Sequence, residues 1–333
     1  MNLSFSFIIP VYNRPNEVRE LLESLSHQIY PKSFEIVIVE DGSSIPSKDI
    51  VDSFQDTLNI TYLEKENSGP GDSRNYGMER AKGNYLIVLD SDCILPPQYL
   101  VAAEKSLIEE FVHCYGGPDA AHKSFSDVQK AINYAMTSMF STGGIRGHKS
   151  SVDKFQPRSF NMGISKKAFE DVGGFGKIHP GEDPDLTIRI WNKGYKTKLI
   201  PEAFVYHKRR IDWNKFYTQV NKFGMVRPIL NKWHPGTAKI TYWFPALFCV
   251  GFIASLLVLV FKITIPLALY VFYFIVVFVD SLLKNKSLPV AFLSIIAVCI
   301  QFIGYGFGFL KSTFWINFSS KKPKELFPKL FFN

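Results

Sequence analysis

Apolar positions over the first ninety residues follow two alternating rhythms. Phe5-Ser6-Phe7-Ile8-Ile9-Pro10, Phe34-Glu35-Ile36-Val37-Ile38-Val39, Ile60 to Leu63 and Tyr85-Leu86-Ile87-Val88-Leu89 are short runs rich in β-formers, and they predict four buried strands. Between them, Val18, Leu21, Leu22 and Leu25 recur at i, i+3, i+4 and i+7 behind Pro15, the spacing of one helix face. A short helix is expected near Lys48 to Phe54, and another from about Asp72 to Ala81, after the loop Ser68-Gly69-Pro70-Gly71. Strands alternating with helices predict parallel βαβ units, an α/β fold with a mostly parallel, Rossmann-like sheet covered on both faces. Farther on, Leu186, Ile190 and Trp191 continue a helical face to Gly194, and Ala203-Phe204-Val205-Tyr206 reads as a strand. Residues 118–157 show no clear period and read as a long functional loop region.

Near residue 240 the pattern changes. Tyr242 to Phe261, Ile263 to Leu283 and Leu288 to Leu310 are apolar throughout. Each has about 20 residues, enough to cross a hydrocarbon core of ~30 Å. Only Lys262, Asp280, Lys284 and Lys286 bring charge between Tyr242 and Leu310, too little for core helices of a soluble protein. The expected organisation is a soluble domain over 1–235, a membrane domain of two to three hydrophobic helices over 240–312, and a basic, aromatic tail over 313–333.

Charge refines that picture. The net charge is +8, and cations crowd the stretch from Lys193 to Lys239 ahead of the first apolar segment. Juxtamembrane cations mark the cytoplasmic side and attract anionic headgroups, so a membrane partner is expected and a nucleic-acid partner is not. No signal peptide precedes the first strand, which places the soluble domain on the cytoplasmic side of the inner membrane. Three full crossings would put Lys321, Lys322, Lys324 and Lys329 outside, so one re-entrant or interfacial segment is the competing arrangement. The four cysteines, Cys93, Cys114, Cys249 and Cys299, show neither metal-ligand spacing nor a disulfide framework.

Candidate chemistry lies in acidic clusters at the ends of apolar runs. Asp90-Ser91-Asp92 would bring two hard oxygen ligands to the carboxyl edge of the sheet, able to hold a divalent cation against nucleotide phosphates; an isolated pair of this kind is more often a polar turn. Asp41, at the end of the second strand, can accept from a base N–H or a ribose hydroxyl, or serve as an Asx-turn. In Gly181-Glu182-Asp183-Pro184, Asp183 reads as a helix N-cap with proline at N1. A carboxylate there, Asp183 or its neighbour Glu182, is also well placed as a general base. His207 closes a strand, either as a packed or solvated histidine or as a third ligand beside Asp92, an O/N set better suited to Mn²⁺ than Mg²⁺. Lys208, Arg209 and Arg210 could neutralise a departing diphosphate, or be membrane-surface charge. Gly69-Pro70-Gly71 lacks the third glycine of a dinucleotide fingerprint and follows the wrong strand, which argues against an oxidoreductase.

Several of these residues fall into motifs. Ile8-Ile9-Pro10-Val11-Tyr12-Asn13-Arg14, Val39-Glu40-Asp41-Gly42-Ser43, Ser73-Arg74-Asn75, Asp90-Ser91-Asp92, Phe160-Asn161-Met162-Gly163, Val172-Gly173-Gly174-Phe175 and Gly181-Glu182-Asp183 occur in that order. Over roughly Ser4 to Arg210 this set resembles the family 2 glycosyltransferases of GT-A fold, membrane-associated and inverting. The resemblance implies a nucleotide-sugar donor held by Pro10, Tyr12, Asn13, Asp41, Arg74, Asp90 and Ser91, with Asp41 reading the base. It implies Asp92 as a ligand of Mn²⁺ or Mg²⁺ and Asp183 as catalytic base, to which the reading of the residues themselves adds His207 at the cation, Lys208 and Arg210 at the diphosphate, and Glu182 beside the base. Asn161, Met162 and Gly163 would line the sugar and acceptor pocket. Glu40 stands where the family commonly has Asp, and no Gln-x-x-Arg-Trp follows His207, which favours a single addition over a processive synthase. The expected function is hexosyl transfer from a nucleotide-sugar, a UDP-sugar first, to a hydroxyl of a lipid-linked (polyprenyl) or glycan acceptor in cell-surface polysaccharide assembly. The rivals are a polyprenyl-phosphate glycosyl synthase, where phosphate attacks, and a catalytically inactive membrane adaptor.

Overall fold

In the computed structural model, residues 2–120, 125–142, 155–207 and 212–332 are described. The first four predicted strands form as β1 (Phe5–Val11), β2 (Glu35–Asp41), β3 (Ile60–Lys65) and β4 (Tyr85–Leu89), with helices α1 (Pro15–Ser26), α2 (Lys48–Asp52) and α3 (Pro70–Arg80) between them. β1, β2 and β4 are buried along almost every residue, as strands covered on both faces must be. Alternation divides their side chains between two cores. Phe7, Ile9, Ile36, Ile38 and Ile87 face one core with Leu21, Leu22 and Leu25 of α1. Ile8, Val37, Val39, Leu86 and Val88 face the other, with Met78 of α3.

The chain then adds β5 (Cys93–Ile94), α4 (Tyr99–Glu109), β6 (Cys114–Gly116), β7 (Asp119–Ala120), α5 (Asp127–Thr137), α6 (Met139–Thr142), β8 (Asn161–Ser165), α7 (Lys166–Val172), α8 (Glu182–Asn192), β9 (Thr197–Leu199) and β10 (Val205–His207). The main sheet has the order β3-β2-β1-β4-β8-β6-β9, and a small one the order β5-β10-β7. β1 through β4 pair in parallel, as predicted, while β8 runs antiparallel to both β4 and β6. Within the stretch expected to be loop, α5 is a regular helix. Its start is a capping box in which Ser126 accepts from the Gln129 N–H and Gln129 caps the Ser126 N–H.

Beyond lie α9 (Trp213–Trp233), α10 (Phe244–Leu257), α11 (Ile265–Asn285), α12 (Leu288–Phe318) and the short α13 (Pro323–Leu326). With its flanking 3₁₀ turns the first apolar helix runs Ile240–Phe261. It, α11 and α12 have 22, 21 and 31 residues, and all three are long and apolar enough to cross a membrane.

Two compact units result. The described residues of Met1–His122, Lys149–Lys208 and Phe331–Asn333 form one, and those of Lys123–His148 and Arg209–Leu330 the other. The first holds both sheets. In the second, α12 packs against α5, α9, α10 and α11 around Ile132, Phe216, Val220, Val277, Val298 and Phe302. α9, which precedes the boundary expected at 235, thus belongs with the apolar helices. Its approach to α12 is close: a Cβ on Gly224 would lie 2.1 Å from the Tyr305 carbonyl oxygen, and one on Gly308 2.2 Å from that of Asn221.

Candidate active site

The acidic turn after β4 meets His207 through strand pairing. β10 lies antiparallel to β5 with His207 opposite Cys93, which brings the imidazole alongside the preceding residue, Asp92. His207 Nε2 is 3.1 Å from Asp92 Oδ1 and 3.8 Å from Asp90 Oδ2. The ring stacks on Phe160 at 4.9 Å between centroids, which fixes its plane. Arg14 Nη1 donates to the other oxygen, Asp92 Oδ2, at 2.8 Å.

Helix α3 supplies the next link. Its Arg74 is buried, donating from Nη2 to Asp90 Oδ1 at 2.8 Å and from Nη1 to Glu182 Oε1 at 3.2 Å, under the Phe175 ring. A guanidinium, with five donors in a planar fork, can span two carboxylates in this way. Glu182 opens α8, and its Oε1 also lies 2.8 Å from His179 Nδ1. The cap of α8 is Gly181, so Asp183 sits inside the first turn rather than at the predicted N-cap position. A carboxylate there still gains from the helix dipole. Asp183 Oδ1 is buried and has no hydrogen-bond partner among the described residues.

These surroundings drive the two adjacent carboxyls apart. Burial raises the Asp183 pKa above the usual aspartate value, and the neighbouring Glu182 charge raises it further against Arg74 and Arg158. Glu182 is also penalised by burial, but His179 and Arg74 outweigh that and hold it below the usual glutamate value. Glu182 therefore carries the standing negative charge, and Asp183 is the carboxyl readier to take a proton.

Asp92, Cys93 and His207 each offer a ligand atom within 4.8 Å of the others. The Cys93 thiol donates to the Phe160 carbonyl at 3.4 Å, leaving the Asp92 carboxylate and the His207 imidazole as the candidate pair. An oxygen–nitrogen set of this kind fits Mn²⁺ better than Mg²⁺.

Other predicted residues take more structural positions. Asp41 accepts from the backbone N–H of Ser68 and of Gly69, each at 3.0 Å, and from Lys65 Nζ at 3.1 Å. A carboxylate has about four lone-pair sites, so three donors leave room for one more. Glu40 is buried and accepts from Ser43, Ser47 and Tyr62, using its extra methylene to span that cluster. Asn13 Oδ1 holds Ser44 and Ile45, tying the end of β1 to the turn after β2. Pro10 is the partly exposed residue near the end of β1, Tyr12 beyond it is exposed, and Ser91 is buried between the two aspartates. Asn161, Met162 and Gly163 lie inside β8. Met162 belongs to the apolar core, Asn161 bonds Tyr99 and the Ala203 carbonyl, and a Cβ on Gly163 would sit 2.0 Å from the Tyr115 ring. All three pack within the sheet. Lys208 and Arg210 fall outside the described residues.

Sequence reasoning missed the parts played by Arg14 and His179. Arg14 stands within the Tyr12-Asn13-Arg14 motif, but nothing local couples it to Asp92, 78 residues on. His179 lies three residues before Glu182, a spacing that could have signalled the pair.

The sequence model described as glycosyl transferase family 2 matches residues 6–173. Over 93 residues the chain is 39% identical to the poly(ribitol-phosphate) beta-N-acetylglucosaminyltransferase TarS of Staphylococcus aureus, a match covering 27% of this chain and only 16% of that protein. Over 222 residues it is 28% identical to the glycosyltransferase AglE of Haloferax volcanii, covering 62% and 67% of the two chains. Among solved structures, the mannosyltransferase PcManGT from Pyrobaculum calidifontis, in complex with GDP-Man and Mn²⁺, superposes with a TM-score of 0.60 at 16% identity, over 95% of this chain and 88% of that one. At that identity the likeness is one of fold.

Proposed function

The chain belongs to glycosyl transferase family 2 and has a GT-A-type fold, and from that premise we propose that it moves a sugar, with inversion, from a nucleotide-sugar to an acceptor hydroxyl. The observation that carries this reading is the run of polar contacts from Arg14 and Asp92 through His207, Asp90 and Arg74 to Glu182, with the enclosed Asp183 beside it. A UDP-sugar is the first donor to try and a GDP-sugar the second, since the structural neighbours TarS and PcManGT are described in complex with UDP and with GDP-Man. The acceptor is a lipid-linked or glycan hydroxyl in cell-surface polysaccharide assembly. We assign catalysis to the unit that holds the sheets. Attachment to the cytoplasmic face of the inner membrane falls to the unit that holds α10–α12.

Asp183 takes the proton of the acceptor hydroxyl as that oxygen forms its bond to the anomeric carbon. The bond from that carbon to the diphosphate oxygen breaks, and its electron pair leaves with the nucleoside diphosphate. Asp92 and His207 would hold a divalent cation, which supplies positive charge against the departing diphosphate. Asp90, fixed by Arg74, faces ribose or sugar hydroxyls. Asp41 has one lone-pair site left for a base N–H.

A screen of nucleotide-sugars, in detergent with Mn²⁺ or Mg²⁺ and read by nucleoside diphosphate release, tests the reading. Asp183→Asn should lower kcat by about 10²–10⁴-fold while donor affinity stays near the parent value. Full activity in that variant would remove the base and point to a lipid phosphate as nucleophile, which needs none.

A further inference from the structure

One aromatic residue from the far end of the sequence bridges two loops that border the site. Phe331 forms an antiparallel bridge with Ile178, and the Phe332 N–H donates to the Lys177 carbonyl at 3.0 Å. These contacts lay the Phe332 ring on Gly69. A Cβ at Gly69 would lie 2.4 Å from ring carbons Cγ and Cδ2, so only glycine lets the ring come this near. The ring also lies near His179, 5.7 Å away between centroids.

Each loop that Phe332 touches holds a site residue by a direct bond. The Gly69 N–H donates to Asp41 Oδ2 at 3.0 Å, and Pro70, next in sequence, starts the helix that carries Arg74. His179 Nδ1 lies 2.8 Å from Glu182 Oε1, and Glu182 in turn grips Arg74. Aspartate, arginine and glutamate thus take their geometry partly from backbone segments that meet on a single ring. Loops without ladder hydrogen bonds of their own open at low free-energy cost, so a bridge of this kind has a large effect on their order.

We propose that Phe331–Phe332 is a positioning strap: it holds His179 against Glu182 and the 68–69 loop against Asp41, and so sets the shape of the donor pocket. Phe332 touches no reacting atom, and its action is through those two loops. The donor-pocket part rests on the nucleotide-sugar reading above; the strap itself does not.

The full chain in detergent, as parent, Phe332→Ala and Phe332→Tyr, decides both parts. Hydrogen exchange should speed up by about tenfold in Phe332→Ala across peptides 68–80 and 177–185, stay unchanged in 5–11 and 35–41, and return to parent rates in Phe332→Tyr. With Mn²⁺ present, UDP and GDP serve as probes. Whichever one the parent binds should bind about fivefold more weakly to Phe332→Ala. Unchanged exchange in either loop overturns the strap, and equal acceleration in β1 and β2 reduces it to general destabilisation. Faster loops with unaltered nucleotide affinity overturn the positioning role. A parent chain that binds neither nucleotide would instead sink the donor reading, with the exchange comparison still deciding the strap.

Discussion

Glu182 and Asp183 share a helical turn, yet one is held ionised by His179 and Arg74 while the other sits enclosed with an unbonded oxygen. A base must be deprotonated to work, so a raised Asp183 pKa places the acid limb of kcat/KM above the value near 4 of a free aspartate, and activity falls as pH drops through it. Glu182→Gln removes the like charge and should move that limb to lower pH. A limb that stays put or moves upward would detach Asp183 from the rate. Arg74 gives a second handle. Lysine keeps the charge but has no fork to span Asp90 and Glu182, so Arg74→Lys should cost about 10–100-fold in kcat/KM with the fold intact, as measured by steady-state kinetics beside circular dichroism. The aspartates could be named from the sequence because they fall into motifs in a fixed order, although each taken alone also reads as a turn or a helix cap. Arg14 could not, because its partner is set by tertiary approach across 78 positions, whereas His179 stands three residues before Glu182, a local spacing that went unread.

Periodicity read the central elements well, since strands buried on both faces and an i, i+3, i+4 helix leave plain marks in a sequence. β1 through β4 and α1 form where the apolar runs place them. Two kinds of element escaped it. β5 and β7 have only two residues, too short for a period; β10 was legible in the run Ala203 to Tyr206, but not its pairing with β5, which is what sets His207 beside Asp92. α5 escaped because its buried face mixes small and large residues, Ala131, Ile132, Ala135 and Met136, and is completed only by packing against other helices of its unit. Its start was nevertheless legible in the Ser126-x-x-Gln129 box. Ser126→Ala should therefore cost about 1 kcal/mol of stability, read as a lower midpoint of thermal unfolding in detergent. The seam between α9 and α12 is the more severe test. Gly308→Val forces a branched side chain against the Asn221 carbonyl, and a cost of about 1–3 kcal/mol is expected. A neutral valine there would mean that the two helices do not meet this closely.

At the scale of the whole chain, the surface itself argues for a lipid environment. Phe244, Leu247, Val250, Ile253 and Leu257 on α10, Leu269, Phe272, Ile275 and Val279 on α11, and Phe292, Ile296, Ile303 and Phe307 on α12 are all exposed. Water-soluble monomers rarely leave a continuous apolar patch of more than a few hundred Å², and so many large exposed apolar side chains on three long apolar helices are what a lipid-facing surface carries. The chain is also cationic, at +8, so attraction to anionic lipid alone could bring it to a vesicle surface. The two modes differ in their response to salt. At 1 M salt the Debye length falls to about 3 Å, which releases a protein held by surface charge and leaves buried apolar helices in place. Reconstituted into anionic vesicles and floated through a gradient, the full chain should stay with the lipid at 1 M salt and in neutral phosphatidylcholine vesicles alike. Recovery in the soluble fraction under either condition would reduce the association to electrostatic adsorption, and would leave the exposed faces of α10 to α12 needing a protein partner instead.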